Sequence, residues 1–265
     1  MVVETLTDRK VVKQSNILNT AKYTLSALST DILHLFLAQI YKEDKDFKEF
    51  NISIKEIENK LEKRINRKYI ETVCKELTTN SIRLKEEDNT VVFVNWASVA
   101  KYNLKKNFLV LKISEELKNH LLELKSLFVQ TSYKEISKLK TFYSKRLYML
   151  FLQYKTSGFY TILIEDLKFI LDIEENHSYD NYFDFKKRVL TPSIKQINEK
   201  TSLNISLKEI KQGRKTIRLE FSIKKDEEQK LEKPIHKSGV IAAEEWLRKK
   251  TKLVAWSYLF FNFKV

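Results

Sequence analysis

The stretch LHLFLAQIYK at residues 33–42 returns in altered form as LYMLFLQYK at residues 147–155. Each is followed by a short apolar run that turns amphipathic, FNISIKEIENKL at residues 50–61 and FYTILIEDLKFIL at residues 159–171. Phe50, Ile54, Ile57 and Leu61 in the first run correspond to Phe159, Ile164, Leu167 and Leu171 in the second. Two weak matches in the same order, with the same kinds of element after them, constrain the fold more than either alone, because a chain that repeats its element order must build one architecture twice.

The elements can be read around that repeat. Residues 28–42 have the apolar spacing of an amphipathic helix with a Ser-Thr-Asp start, residue types that cap helix N-termini. Residues 50–61 read as a strand entering a second helix, and INRKYIETVCKELTTN at residues 65–80 as a third. SIRLKEEDNTVVFVNW and SVAKYNLKKNFLVLKI alternate apolar and polar residues around charged or Asn-containing turns, the pattern of β-hairpins. Past a predicted helix, SEELKNHLLELK, the order returns in SYKEISKLKTFYSKRLYMLFLQYK, FYTILIEDLKFIL, a third helix in YDNYFDFKKRVLTPSIKQINEKT, and a last hairpin, LNISLKEIKQGRKTIRLEFSI. Three helices closed by a hairpin describe a winged helix, whose third helix enters the DNA major groove while the hairpin wing lies along the backbone or minor groove. The expected fold is α+β, two tandem winged-helix domains at residues 11–130 and 131–225, with a linker and tail at 226–265.

The third helix of the second half carries the strongest functional signal. On 3.6-residue turns Phe185, Val189, Leu190, Ile194 and Ile197 gather on one side, and Asp184, Lys187, Arg188, Thr191, Lys195 and Asn198 on the other. Alone, such a polar face is the solvated side of a surface helix. The charge distribution says more. From Tyr182 to Lys215 there are nine Lys or Arg against three Asp or Glu, a net +6 out of +14 for the whole chain, so nearly half the excess charge lies in one helix and its wing. The wing turn KQGRK surrounds Gly213, where a positive φ is wanted, with Lys211, Arg214 and Lys215. Lys186 falls nearer the apolar side, where its stem can lie over the core. Pro192 has two readings: one helix ends near Leu190 and another begins with Thr191 as cap, or a single helix kinks.

Composition narrows the class. The 265 residues include only three glycines, Gly158, Gly213 and Gly239, where an average chain has about 7%. Neither a Walker A loop nor a dinucleotide fingerprint can be built from that spacing, so no nucleotide cofactor is expected. The single cysteine, Cys74, permits no internal disulfide and suits a small buried apolar role. His34, His120, His177 and His236 lie far apart, without the closely spaced pair of a metal-dependent nicking enzyme, and no metal site or catalytic residue is expected. Glu174 with Glu175 and Glu244 with Glu245 read as solvated surface. A net charge of +14 and a pI near 9.5 favour a polyanionic partner, nucleic acid or an acidic membrane surface. MVVETLTDRK has no apolar signal core, and LVAWSYLFFNF is too short to span a bilayer, so a cytoplasmic, DNA-associated protein with no membrane partner is expected.

YSKRLYMLFLQYK, ILIEDLKFIL, YFDFKKRVLTPSIKQINEKTSLNI and GRKTIRLEFSI, in that order, resemble the second winged helix of the type 3 initiator Rep proteins, the iteron-binding plasmid replication initiators. The resemblance spans roughly residues 11–224 and is carried mainly by FKKRVLTPSIKQIN, the first half matching in layout. It implies a bacterial protein that binds direct repeats in double-stranded origin DNA as a monomer, using both winged helices. It also implies assistance to strand opening, recruitment of the host initiator and replicative helicase, and an equilibrium with a homodimer that represses the protein's own gene. Carried over by position, the DNA-binding residues are Asp184, Lys187, Arg188, Thr191 and Lys195, with Lys211, Arg214 and Lys215 in the wing. Ser144, Lys145 and Arg146 at the start of the second domain's first helix are implied phosphate contacts, unless Arg146 caps or pairs locally. Arg67, Lys68, Glu71 and Lys75 form the corresponding face of the first domain. A tandem winged-helix repressor without origin function shares the same groove chemistry. DEEQKLEKPIHKSG reads as a linker, and the aromatic tail after it, with Trp246, Trp256 and Phe260, as a segment that covers a domain, docks a partner or touches a membrane.

Overall fold

A computed structural model describes residues 11–40, 44, 46–122, 124 and 128–225; the linker and aromatic tail lie outside them. In the first half, β1 (Val11–Ser15) leads through α1 (Asn16–Thr20) and α2 (Ala27–Leu37) to β2 (Phe50–Ser53), α3 (Ile54–Leu61) and α4 (Ile70–Thr79). Two hairpins follow, β3 (Ser81–Lys85) with β4 (Val91–Asn95), and β5 (Ala97–Asn103) with β6 (Phe108–Ile113), before the short α5 (Lys118–Leu121). The second half opens with β7 (Phe128–Ser132), α6 (Tyr133–Ser137), α7 (Phe142–Gln153), β8 (Phe159–Leu163) and α8 (Ile164–Ile170). It closes with a long helix, α9 (Tyr182–Phe185) joined to α10 (Thr191–Lys200), and the wing of β9 (Leu203–Gln212) and β10 (Lys215–Lys225).

The three-stranded sheet repeats in topology. The sheet order β2-β6-β5 in the first half is matched by β8-β10-β9 in the second, all antiparallel. The lead-in elements repeat as well: Ser15 accepts a hydrogen bond from the Leu18 amide to cap α1, and Ser132 from the Lys134 amide to cap α6. The two lead strands pair with each other antiparallel, Val11 opposite Ser132 and Ser15 opposite Phe128. The fold is therefore two winged helices, with β3 and β4 inserted between third helix and wing in the first alone.

Three local expectations change. The N-cap of α2 is Ser26, whose hydroxyl accepts from the Ser29 amide at 3.2 Å, while Ser29, Thr30 and Asp31 lie inside the helix and are buried. Among its described residues SEELKNHLLELK forms a single 3-10 turn and the four residues of α5. Phe50 corresponds to Tyr160 and not Phe159: Phe50 and Tyr160 are both buried two residues before buried Ile52 and Ile162, whereas Phe159 is 63% exposed. β8 is one residue longer than β2, and a one-residue slip moves a side chain to the opposite face of a strand.

Candidate nucleic-acid interface

The long helix of the second domain is continuous through Pro192. Residues Lys186–Leu190 form one π-type turn, closed by the Thr191 amide donating to the Lys186 carbonyl, and Leu190 and Thr191 both keep right-handed helical dihedrals. Proline has no N–H and its ring presses on the carbonyl four residues back; a wider turn just before it relieves that contact without ending the helix. Thr191 is consequently no cap, and the helix does not break. Because a π turn takes more residues per revolution, positions four apart drift less around the axis. Lys187, Thr191 and Lys195 are all exposed at intervals of four, with Phe183 four residues before Lys187.

Beside that ridge, Asp184 is half-buried and Arg188 exposed, with Arg188 Nε 3.5 Å from Asp184 Oδ1. The five residues nominated on this helix thus share one outward face, while Phe185, Val189, Leu190 and Ile197 are fully buried. Asn198 is not part of it: its side-chain amide donates to the Ile205 carbonyl at 2.9 Å and its oxygen accepts from the Ile205 amide at 2.7 Å, fastening the helix to β9. The wing tip turns at Gly213 with φ +60°, the left-handed conformation that glycine adopts without strain. Lys211, Arg214 and Lys215 are exposed around it.

A brace missed in the sequence holds helix to wing. Lys186 Nζ lies 2.6 Å from Glu209 Oε1 on β9, and the Tyr182 hydroxyl donates to the same oxygen at 2.9 Å. The hydrogen bond from Lys186 holds the Glu209 carboxyl below the usual range, with burial opposing and Tyr182 assisting. The cue was the single acid between Lys208 and Lys211 in a wing otherwise rich in cations.

Ser144, Lys145 and Arg146 do not face solvent, which corrects their assignment as phosphate contacts: they are 0, 1 and 4% exposed. Ser144 completes a capping box with Thr141 at the start of α7. Lys145 Nζ lies 2.7 Å from Asp31 Oδ1 on α2, an ion pair across the two domains that lacks hydrogen-bond alignment, and Lys63 joins the same carboxylate. Arg146 donates to the carbonyls of Ala21 at 2.6 Å and Ile170 at 3.1 Å, with its guanidinium 3.9 Å from the centre of the Tyr23 ring. These cations clasp the domains together.

In the first domain Lys68, in the 3-10 turn before α4, and Glu71 and Lys75 on α4 are exposed. Arg67 is drawn away from that face by a two-pronged contact with Glu58, Nη1 to Oε1 at 3.0 Å and Nη2 to Oε2 at 3.2 Å. Lys105 and Lys106, exposed at the tip between β5 and β6, stand where the wing of the second domain carries its cations; the LKKN turn was the sequence signal. Cys74 is buried, and burial pushes its thiol up to about 11. Among the described residues no group of His, Cys, Asp and Glu could hold a metal ion, and no helix is long and apolar enough to cross a membrane.

Comparison with known proteins bears on the family and the fold. Residues 11–152 match the family model described as initiator replication protein, WH1, and residues 163–223 match that of initiator Rep protein, WH2. Among solved structures, the Pi initiator protein in complex with iteron DNA is 18% identical with a TM-score of 0.64, covering 83% of this chain and 99% of that one. Domains 2 and 3 of RctB are 14% identical with a TM-score of 0.43, covering 76% of this chain and 81% of that one. The first match runs from β1 into α7 and alone takes in more than half of the chain, the second runs from the end of β8 into β10, and the protein belongs to the Rep family of replication initiators.

Proposed function

We propose that this initiator starts plasmid replication by binding direct repeats of origin DNA as a monomer with both winged helices, the second reading most of the base sequence. The observation that carries the proposal is the single outward face of half-buried Asp184 and exposed Lys187, Arg188, Thr191 and Lys195 beside the cationic turn at Gly213. A helix of that character presents base-edge and phosphate donors together. A protein of the same fold, the Pi initiator, was solved on iteron DNA, and family membership supports the initiator role. On this reading the bound protein assists strand opening, recruits the host initiator and replicative helicase, and as a dimer represses its own gene. It binds without ATP or divalent metal, leaves the strands covalently intact, and works in the bacterial cytoplasm.

Two recognition helices in successive major grooves on one face of a duplex lie about 10–10.5 base pairs apart, so each repeat should be protected over about two helical turns. The deciding experiment places the gene and its upstream DNA on a circle that lacks an origin. Replication in a suitable host, lost in the Lys187→Ala/Arg188→Ala double variant, is the expected result. Specific upstream binding without replication would instead identify a repressor, and DNA cleavage abolished by EDTA would remove the non-enzymatic reading.

A further inference from the structure

Phe183 is the one side chain on the reading face with no polar chemistry, and it is 63% exposed. Its aromatic neighbours all turn elsewhere. Phe185 is fully buried, Tyr179 packs edge-on against both Phe185 and Tyr143, and Tyr182 gives its hydroxyl to Glu209. A lone exposed phenylalanine on a protein surface is ordinary; its position makes this one different. Phe183 sits in the first turn of the helix, its amide donating to the capping Asn181 side chain at 2.9 Å, and the N-terminal residues of a recognition helix are those that reach base edges. Lys187 Nζ lies 5.7 Å from the ring centre, so the ring lies beside a cation available to DNA phosphates, on the ridge that continues through Thr191 and Lys195.

The major groove offers such a ring only one kind of partner. Guanine, cytosine and adenine present hydrogen-bond donors and acceptors there, whereas thymine adds a methyl group. A phenyl ring against a donor or acceptor would strip it of water and return no hydrogen bond. Against a methyl it buries apolar surface on both sides. We infer that Phe183 is a specificity-determining residue that contacts the 5-methyl group of one thymine in each repeat. This assignment rests on the DNA-reading function proposed above.

The test uses the full-length protein and a set of duplexes carrying one repeat, each with a single thymine replaced by deoxyuridine, which pairs identically but lacks the methyl. Wild-type protein should lose about fourfold in affinity at one position, the effect of uncovering one methyl group. Phe183→Ala should bind the unmodified repeat more weakly and be indifferent to deoxyuridine at that position; Phe183→Leu, still apolar, should keep part of the sensitivity. A melting curve unchanged from wild type confirms that the variants are folded, as expected for so exposed a ring. If no thymine position matters to the wild type, or if Phe183→Ala keeps the full wild-type sensitivity, the inference is overturned while repeat binding stands. Unchanged affinity of Phe183→Ala for the repeat also overturns it and turns attention to a protein partner for this ring. Failure of the wild type to distinguish the repeat from scrambled DNA overturns the DNA-reading proposal and this inference with it.

Discussion

Asp31 on α2 and Lys145 on α7 meet at 2.7 Å with side chains only 10% and 1% exposed, an ion pair between two winged helices more than a hundred residues apart in sequence. The two partners are not equivalent. Asp31 also has Lys63, whose side chain is 43% exposed, whereas Lys145 has no other acid within ion-pair distance among the described residues. Burial, reinforced by the Lys63 charge, pulls the Lys145 ammonium below the usual lysine range even though Asp31 opposes both.

Removing the acid should therefore cost more than removing the base. Asp31→Leu strands a buried ammonium and should destabilise the protein by about 3–5 kcal/mol. Lys145→Met leaves the carboxylate paired with Lys63 and adds apolar packing, so its cost should be clearly smaller. Urea unfolding of both variants measures the difference; equal costs would mean that the clasp does not depend on compensating a buried lysine.

Arg146→Ala should lower the melting temperature, because the Ala21 and Ile170 carbonyls each lose a charge-assisted donor at a cost of about 1.5–3 kcal/mol apiece. Its effect on DNA should be absent from the salt dependence. A phosphate contact contributes about −0.9 to the slope of log affinity against log salt, and a side chain 4% exposed has no phosphate to neutralise. A shallower slope in folded Arg146→Ala protein would restore it to the DNA-binding set.

What could be read in advance divides along physical lines. The repeat, the hairpins and the polar face of the second domain's third helix rest on local periodicity, and Phe185, Val189, Leu190 and Ile197 turned inward as their spacing required. Lys145 and Arg146 could not be placed that way. Cations near a helix start resemble surface donors, and nothing local records that their partners, Asp31 and Ala21, lie in the other domain. The slip between Phe159 and Tyr160 is of the same kind, since alternation gives two faces and only the packed helix shows which is buried. Phe183 carries no donor or acceptor, so the polar pattern that marks the outward face in the sequence does not include it.

His34 gives the fold an acid sensitivity with a defined sign. It is buried, its Nδ1 has no hydrogen-bond partner among the described residues, and burial, followed by the Lys145 and Arg146 charges, lowers its pKa to about 3. In the unfolded chain the imidazole titrates near 6.5. Between those values the unfolded state binds the proton and the folded state does not. The contribution is therefore fully present above pH 6.5 and is lost progressively as pH falls toward 3, about 2–3 kcal/mol of it by pH 4.5. His34→Gln, neutral throughout, should show a smaller drop in stability between pH 7 and 4.5 than wild type, whatever its stability at pH 7. Parallel pH profiles for the two proteins would show that His34 is not the titrating group.

Arg188 and Lys215 should fail in different ways. Arg188 stands on the exposed face of the long helix of the second domain, steadied by Asp184 at 3.5 Å, and its planar guanidinium can make paired hydrogen bonds to a guanine edge. Arg188→Ala should cost about 1–3 kcal/mol on the specific repeat, much less on scrambled DNA, and relax preference at one base pair. Lys215, 78% exposed at the wing tip and 3.9 Å from an equally exposed Glu165, is placed for a phosphate. Lys215→Ala should weaken both DNAs about equally and reduce the salt slope by about 1. Neither side chain is buried, so melting temperatures should hardly move. Titrating both variants against specific and scrambled duplexes at several salt concentrations separates the two roles. If Arg188→Ala weakens both DNAs alike, the helix grips the backbone and the bases are read elsewhere; if it leaves specific binding unchanged, the Lys-Lys-Arg run is only a solvated face.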